Sequence, residues 1–586
     1  MIQRLFRRML ATQIVSAMTV TLCMLIDSIM IGRFLGTDAM AAYGYTAPVL
    51  LAFAAPGAMI AAGVQVVCGR TMGSGDREGT DACFTVSVRL TLGLAVMGLA
   101  LVLCFAGPLC TLLGAGRPGP DNPVFTLTKQ YLTGFIIGVP AFLMAQIMVP
   151  YMQMAGDRRR LVAAVLLMTV SDVIFDLLNV LVFHGGTFGM GLASSLSYYA
   201  ALLVGGGYFL RKDCLFHLQS WAPRPDMLRA ILSDGVPTVV NQLSLVLLVF
   251  LLNRILRSTG GHVAVAAYSV VSTVSNLCYA FSSGIGSVAL MLAAIFYTDE
   301  DRSALLVLVK TVFYHALVLL AGVTLVTLLA AKPLVGLFLA EDPSAMALAA
   351  RGLRLFSLCL IPCALNTGLK YYYQGTGRAR LMELLSFLQN FLLPALAALV
   401  LGHFYGTTGV WLCFVCGECA AFLLICLRVR QRRSLHSLRP MDFALLAPDF
   451  GAAPGECFEC TIMDTQDAVR ASNDAADFCR AHGRGERMSF LVGLCIEELA
   501  CNIVRYGFRE EKGRHSIDLR LVFKDGEGLI RIRDNCAHFD PLHYLELHNS
   551  DDRTAHMGIR LVMATVREAS YLNSLGLNNL TLRLQD

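Results

Sequence analysis

The chain has 586 residues, of which 56% are hydrophobic and only 15% are charged. A soluble globular protein has roughly 25% charged residues, so an ordinary soluble enzyme is excluded, as is a disordered chain. The charges are divided unevenly: residues 1–455 hold 31 basic and 21 acidic residues, net +10, whereas residues 456–586 hold 16 basic and 21 acidic residues, net −5. This contrast predicts a membrane domain joined to a soluble domain.

Residues 1–433 contain apolar runs that are long enough to cross a bilayer. They predict twelve transmembrane helices, near 10–31, 46–68, 84–106, 128–150, 161–183, 191–210, 231–256, 266–296, 304–330, 352–373, 383–403 and 409–428. Loops on the side of the N-terminus hold twenty arginines and lysines, against seven on the other side. The positive-inside rule therefore predicts a multi-pass protein of the plasma membrane with both termini in the cytoplasm.

The two halves of this region, about 1–215 and 216–433, share short motifs. Ala41-Ala42-Tyr43 recurs 225 residues later as Ala266-Ala267-Tyr268, and a Pro…Gln-x-x-Gly motif recurs with an offset of 221 to 222 residues. A nearly constant offset indicates a duplicated bundle of two six-helix halves. Duplicated bundles with a central site are a common design of transporters that alternate between two open states.

Acidic side chains interrupt two of the predicted helices. Asp27 lies in the first helix, and Asp172 and Asp176 lie at i and i+4 on one face of the fifth, which Asn179 continues. A carboxylate inside the membrane is costly and usually faces a cavity, so we expect these four residues to form an ion-coupling site for H⁺ or Na⁺ in the N-terminal bundle. The alternative is that they only bond neighbouring helices together.

Polar side chains in the later helices are candidates for a substrate cavity, or equally for contacts between helices. The candidates for the cavity are Asn241, Gln242 and Gln374. Glu418, in the predicted twelfth helix, is a lone acid for which the sequence shows no partner.

The first two helices carry recognisable signatures. Asp27-Ser-Ile-Met-Ile-Gly32-Arg33-Phe-Leu-Gly36 resembles the first-helix signature of the MATE family (multidrug and toxic compound extrusion), and Gly69-x-x-x-Gly73-Ser-Gly75-Asp76 resembles its second-helix ending. The resemblance covers residues 1 to about 430. It implies a cation-coupled antiporter that exports small amphipathic, often cationic, drug-like molecules. It also implies coupling roles for Asp27 and Asp176, whereas Asp172 stands where the family usually has Asn, which leaves H⁺ and Na⁺ both open.

Residues 434–455 are predicted to be a linker rich in proline and small residues, and residues 456–586 a separate domain. The pattern of that domain predicts a two-layer α/β sandwich. Its strands are expected near 457–463, 515–524, 528–534, 568–574 and 578–584, and its helices near 466–482, 486–506 and from about 557.

Three elements of this domain carry nucleotide chemistry. Glu498 and Asn502 share one helix face, where the amide oxygen can bind Mg²⁺ and the carboxylate can act as the catalytic group that orients a water or hydroxyl. Asp534 and Asn535 end a strand, where Asp can accept from an adenine amino group. Gly558 begins a helix whose N-terminal amides can receive phosphates.

This order of motifs resembles the GHKL ATPase fold (gyrase, histidine kinase and MutL relatives), and most closely its anti-sigma-factor serine kinase branch. The resemblance covers about residues 456–586 and implies ATP and Mg²⁺ as cofactors. Cys536 and Arg560 stand where glycines are usual, which loosens the expected phosphate cradle. Glu497 is the adjacent alternative to Glu498.

The leading hypothesis is a multidrug exporter with a cytoplasmic ATP-binding domain that regulates it or signals. Its expected partners are a drug-like small molecule, membrane lipids and a cytoplasmic regulatory protein, with no nucleic acid. ATP is not expected to drive transport, because the chain lacks the Gly-x-x-x-x-Gly-Lys-Ser/Thr phosphate loop. One alternative is a membrane receptor that acts as a serine-protein kinase, and another is a flippase for lipid-linked precursors.

Overall fold

The structure is a computed structural model in which most of the chain is described. The described residues are 2–113, 115, 118–119, 122–209, 211, 214–219, 224–336, 343–433, 438–447, 450–452, 455–509, 515–524, 527–547 and 557–585.

The N-terminal half of the membrane region consists of long apolar helices. They are α1 (Ile2–Met30), α2 (Thr37–Gly73), α3 (Arg77–Leu112), α4 (Pro123–Ile136), α5 (Val139–Met154), α6 (Arg158–Leu178) and α7 (Gly186–Gly206). The C-terminal half follows the same plan with α8 (Pro225–Thr298), α9 (Arg302–Gly336), α10 (Pro343–Ser357), α11 (Leu360–Gly375), α12 (Ala379–Phe387) and α13 (Leu393–Arg433). Non-helical backbone at Gly261 divides α8 into two helices.

The two halves share local irregularities as well as their helix order. The pairs α4–α5 and α10–α11 are both bent by 49°. A five-residue π-helical segment follows α6 at Asn179–Phe183, and another lies between α12 and α13 at Leu388–Leu392. Matching bends and π-segments in the two halves agree with the duplication expected from the sequence.

The described residues contain nine helices that are long and apolar enough to cross a membrane, or eleven if each bent pair counts as one span. The predicted count of twelve is therefore not confirmed. One of the nine, Ala379–Gln431, is 53 residues long. Non-helical backbone at Gly406 interrupts it, and at 1.5 Å per residue it exceeds the roughly 30 Å hydrocarbon thickness more than twofold.

The C-terminal region is a five-stranded antiparallel sheet covered by helices. Its elements are β1 (Cys457–Ile462), α14 (Thr465–Ala481), α15 (Glu486–Tyr506), β2 (Ile517–Lys524), β3 (Glu527–Asp534), α16 (Pro541–Leu547), α17 (Met557–Thr565), β4 (Glu568–Ser574) and β5 (Leu577–Gln585). The strand order is β1-β2-β3-β5-β4. The predicted α/β sandwich is confirmed, and only the short α16 was not anticipated.

The two faces of this sheet have different neighbours because successive side chains of a strand point to opposite faces. Ile530 and Ile532 of β3 belong to the apolar core shared with α14 and α15. Arg531 and Arg533 alternate with them, so they lie on the other face, which is turned toward the membrane bundle.

Part of the predicted linker is packed rather than extended. Phe443 is 3% exposed, its ring stacks on Phe422 with centroids 5.9 Å apart, and its carbonyl accepts a hydrogen bond from Tyr373 Oη at 2.9 Å. The apolar side chain of Phe443 packs against α9 and α13. This packing holds the segment against the bundle.

Candidate functional site

Three carboxylates meet in the N-terminal half, as the sequence predicts. Asp27 of α1 and Asp172 and Asp176 of α6 are 7%, 2% and 0% exposed. Asp27 lies within hydrogen-bonding reach of both other carboxyl groups. Neighbouring buried carboxylates repel each other when both are ionised, and a proton or a cation between them relieves this repulsion.

The partners of this cluster are few. Ser194 Oγ donates to Asp27 Oδ2 at 3.3 Å, and Ser197 lies beside Asp172. Among the described residues no donor bonds Asp27 Oδ1, Asp172 Oδ1 or either carboxyl oxygen of Asp176. Both serines come from α7, whose contribution the sequence analysis missed because serine in an apolar helix is common. The cluster therefore keeps buried acceptor oxygens available for an ion.

Asn179 does not join the carboxylates directly. It begins the π-helical segment after α6, and its Nδ2 donates to Gly186 O at 3.1 Å. Its amide also lies where a Cβ on Gly189 would be, with Oδ1 only 1.7 Å from that position. This side chain closes the turn between α6 and α7 and so supports the helix that carries Asp172 and Asp176.

The C-terminal half contains a second buried polar network, centred on Asn241 of α8. Asn241 Oδ1 accepts from Lys370 Nζ at 2.9 Å and from Asn390 Nδ2 at 2.6 Å. Lys370 is 2% exposed. Gln242, the next residue on α8, is exposed, and a place in the substrate cavity stays a prediction for both residues.

Glu418 is part of this half as well, and it does have partners. Its carboxylate accepts from Asn366 Nδ2 at 2.7 Å and from Gln389 Nε2 at 2.8 Å. These partners come from α11 and from the π-helical segment before α13, so no local sequence pattern indicates them.

Gln374 lies at a different place, in the contact that closes the bundle between its two halves. Its Nε2 donates to Asp234 O at 2.6 Å, while Arg70 of α2 pairs with Asp234 of α8 at 2.7 Å. A Cβ on Gly63 of α2 would lie 2.1 Å from Ile231 O, so only glycine permits this approach of α2 to α8. The two halves are thus packed together at the end that carries the soluble domain.

Apart from Asn535, the soluble domain places its predicted nucleotide residues on the helix-covered side of the sheet. Glu498 and Asn502 lie one turn apart on α15, and both are half-buried. A Cβ on Gly558 would lie 1.9 Å from Glu498 Oε2, so the start of α17 directly faces this carboxylate. Glu497 instead accepts from Ser472 Oγ at 3.4 Å. Of the two adjacent glutamates, Glu498 is the one that faces Gly558.

Asp534 ends β3 as a buried carboxylate, 4% exposed. Its Oδ1 accepts from Cys536 N and from Asn578 Nδ2, both at 2.9 Å. Burial raises the pKa of Asp534 above its ordinary value of 3.8, and these hydrogen bonds offset part of the rise. A buried acceptor at a strand end and a side-chain-free helix start fit adenine and phosphates, respectively. Residues 548–556 of the intervening loop lie outside the described residues.

Asn535 points elsewhere. Its Oδ1 accepts from Ser516 N at 2.8 Å, and the residue lines a cavity between the soluble domain and the membrane bundle. Consecutive residues at a strand end point to opposite sides, so Asp534 and Asn535 do not face the same site.

An ionic contact joins the face of the sheet that is turned toward the membrane bundle to the turn between α8 and α9. Arg531 Nη2 lies 2.7 Å from Asp301 Oδ2, and Arg520 Nη1 lies 3.0 Å from Asp301 Oδ1. Arg531 also pairs with Asp299, and Arg533 approaches the same carboxylate at 3.4 Å. Burial, together with the neighbouring charge of Arg533, lowers the pKa of Arg531.

The same domain also contacts the N-terminal half. Leu575 N donates to Met154 O at 2.5 Å. Gly156 and Gly576 have φ of +77° and +72°, and a Cβ on Gly156 would lie 2.3 Å from Gly576 N. The soluble domain therefore touches the α5–α6 turn of one half and the α8–α9 turn of the other.

Comparisons with known proteins agree with both regions. The family model MatE matches residues 13–178 and 237–399, and the family model described as Histidine kinase-like ATPase domain matches residues 463–584. A curated protein of Shewanella oneidensis, described as FAD transporter, is 28% identical over 212 residues, which is 35% of this chain. The chain spans just under half of that relative's length, 45%.

Solved structures show the same fold for the membrane region. A MATE crystal structure in complex with MaL6 is 22% identical with a TM-score of 0.67, covering 74% of this chain and 96% of its own. A MOP superfamily transporter from Pyrococcus furiosus is also 22% identical, with a TM-score of 0.66 and the same coverage, 74% and 96%. A Vibrio cholerae MATE transporter is 18% identical with a TM-score of 0.68, covering 75% and 98%.

Proposed function

Because this chain belongs to the MatE family of membrane transporters and ends in a histidine kinase-like ATPase domain, we propose that it is a cation-coupled antiporter regulated by that domain. H⁺ or Na⁺ moving down its gradient drives the export of small amphipathic or cationic molecules, and both termini face the cytoplasm of the cell. The observation that carries the proposal is the buried cluster of Asp27, Asp172 and Asp176, whose oxygens are under-bonded among the described residues. A cation that binds there and a substrate that binds the same half can then exclude each other.

The contact between the soluble domain and both halves supports a regulatory role. Alternating access requires the two halves to separate at the end where Arg70 and Asp234 meet. A domain held by the α5–α6 and α8–α9 turns at once opposes that separation. Nucleotide bound near Glu498 and Gly558 lies on the other face of the same sheet. Its binding can shift the balance between the docked and the undocked domain only if the nucleotide binds one of these two states more tightly.

Transport into proteoliposomes tests the proposal. With an amphipathic cation as cargo, we expect transport when an H⁺ or a Na⁺ gradient is imposed, and none when Mg²⁺ and ATP are the sole energy source. Adding ATP to the gradient should change the rate. Transport driven by ATP alone, or transport that ignores both gradients, would contradict the proposal.

FAD is a second candidate cargo. The Shewanella oneidensis relative is described as FAD transporter, and the buried Lys370 beside Asn241 offers a cation to an anionic molecule. The same proteoliposomes loaded with FAD distinguish the two substrate classes. Competition between FAD and the amphipathic cation would place both in one cavity.

Asn502→Ala is expected to weaken Mg²⁺–ATP binding by more than about tenfold, because an amide oxygen that holds the metal is lost. Titration calorimetry of the full-length protein with Mg²⁺ and a non-hydrolysable ATP analogue measures the effect. Asn473→Ala, an exposed Asn on α14, is the matched control and should bind normally. Equal affinities of the two variants would show that Asn502 has no part in nucleotide binding.

The affinity for ATP is expected to fall with acidification. Because burial raises the pKa of Asp534, this carboxyl takes up a proton at a pH above its ordinary value of 3.8. The protonated form no longer offers a full acceptor to the adenine amino group, so binding is strong above the raised pKa and weakens as pH falls through it. Asp534→Asn should bind weakly at every pH, and a steep pH dependence in this variant would assign the titration to another group.

A further inference from the structure

A cavity of about 570 Å³ lies between the membrane bundle and the ATPase domain. Of the residues assigned above to nucleotide binding, only Asn535 lines it. The bundle contributes the first turns of α1 and α6, and the domain contributes Thr461 of β1 and Ser516, which precedes β2. Its volume lies within the range of small-molecule sites, about 300–1,000 Å³.

The charge around this cavity is strongly positive. Arg4 and Arg8 of α1 and Arg158 and Arg159 of α6 line it, against a single acidic residue, Asp157. Asp157 is already engaged, because it caps α6 by accepting from Arg160 N at 3.3 Å and pairs with Arg160 Nε at 3.5 Å. Guanidinium groups that line one space repel each other, and an anion between them offsets this repulsion. Guanidinium groups match phosphate oxygens in geometry.

A buried donor independently indicates a ligand. Gln153 is 3% exposed and lines the cavity. Its Oε1 accepts from Gln13 Nε2 at 2.6 Å, but its own Nε2 has no hydrogen-bond partner among the described residues. A buried amide donor without an acceptor is costly, and most such groups in native structures bind something.

We propose that this cavity binds a phosphate group of an anionic ligand, held by Arg8 and Arg158 and by the Nε2 of Gln153. The lining residues come from both domains, so the ligand also stabilises their docked arrangement. The phosphate belongs either to the head group of an anionic phospholipid, which the position at the helix ends allows, or to a soluble polyphosphate. This site is separate from the carboxylate cluster and from the start of α17.

Two binding arms distinguish the sources. The full-length protein is placed in phosphatidylcholine nanodiscs with and without phosphatidylglycerol, and separately titrated with inorganic pyrophosphate in phosphatidylcholine alone. The pyrophosphate titration uses the Asn502→Ala background to suppress the nucleotide site. Docking is read from hydrogen exchange of the β4–β5 hairpin, and pyrophosphate affinity from calorimetry. Protection by phosphatidylglycerol alone identifies a lipid, and protection by pyrophosphate alone identifies a soluble ligand.

Matched variants make the test specific. Removing both Arg8 and Arg158 should weaken the effective probe by more than about tenfold, since each is a charge-assisted contact. Gln153→Glu keeps the acceptor for Gln13 but replaces the donor with a negative charge, and it should weaken binding similarly. Arg7→Ala removes an exposed arginine of the same turn that does not line the cavity, so it should bind normally. If neither phosphatidylglycerol nor pyrophosphate protects the β4–β5 hairpin, the proposal is wrong. It is also wrong if Arg7→Ala weakens binding of the probe as much as the other variants do.

Discussion

Replacing Asp27 with asparagine is expected to abolish gradient-driven transport while the ATPase domain still binds nucleotide. The change removes one of three buried carboxyl groups but keeps an oxygen that can accept from Ser194. Without that carboxyl, Asp172 and Asp176 lose the group on α1 with which they share a proton or cation, so binding of the ion no longer links α1 to α6. An acid inside a membrane bundle is expensive to keep unless it functions.

Uptake by proteoliposomes measures the loss of transport, and calorimetry with an ATP analogue measures the retained nucleotide binding. Asp38→Asn is the matched control, because Asp38 is an exposed acid in the first turn of α2. The Asp27 variant should be at least as heat-stable as the parent protein, since it relieves repulsion among buried acids. Unchanged transport by a well-folded Asp27→Asn protein would remove the carboxylate cluster from the mechanism. If only Asn502→Ala then had a phenotype, a receptor kinase would become the better hypothesis.

Arg531→Ala is expected to undock the ATPase domain from the membrane bundle. Arg531 bonds both Asp299 and Asp301, and the Asp301 side chain is only 4% exposed. Without Arg531, Asp301 keeps Arg520 at 3.0 Å. Asp299 keeps Arg533 at 3.4 Å, so the ionic contact is weakened but not abolished. The loss of charge-assisted hydrogen bonds costs about 1.5–3 kcal/mol, which shifts the ratio of docked to undocked molecules by about tenfold or more.

Hydrogen exchange of the α8–α9 turn and of β3 reports the docked fraction, and the effect of ATP on transport reports its consequence. Arg583→Ala is the control, because Arg583 pairs with Glu568 on the surface with side chains 50% and 61% exposed. Such exposed pairs contribute little. If exchange at the turn is unchanged in Arg531→Ala, the contact does not hold the domain.

Local patterns were sufficient for the helical character of the membrane region and for the strands and long helices of the soluble domain. The order and type of the elements from β1 to β5 follow from period-two alternation in strands and from apolar stripes on helices, which depend only on neighbouring residues. The meeting of Asp172 and Asp176 also follows from their spacing on α6. Their proximity to Asp27 was expected because costly acids inside the membrane usually face a cavity, and the structure places Asp27 beside Asp172 across 145 residues of chain.

Contacts between segments that are distant in the chain could not be predicted from local sequence patterns. The expected cavity residues Asn241 and Gln374 bond different partners, because Gln374 donates to Asp234 O while Asn241 accepts from Lys370. Their place in a substrate cavity stays a prediction. Glu418 looked isolated because its partners Asn366 and Gln389 come from other helices. A side chain's distant partner leaves no periodic signal in the sequence.

The sequence by itself determined that a basic, apolar bundle precedes an acidic α/β domain, because charge and hydropathy are sums over residues that need no coordinates. It also placed acids inside apolar helices, where their cost indicates a role. Only the tertiary structure decided that the arginines of β2 and β3 meet the α8–α9 turn, about 230 residues earlier, and that arginines of α1 and α6 surround one cavity. Ionic contacts have no preferred sequence spacing, so the packing of whole helices and sheets had to bring these charges together.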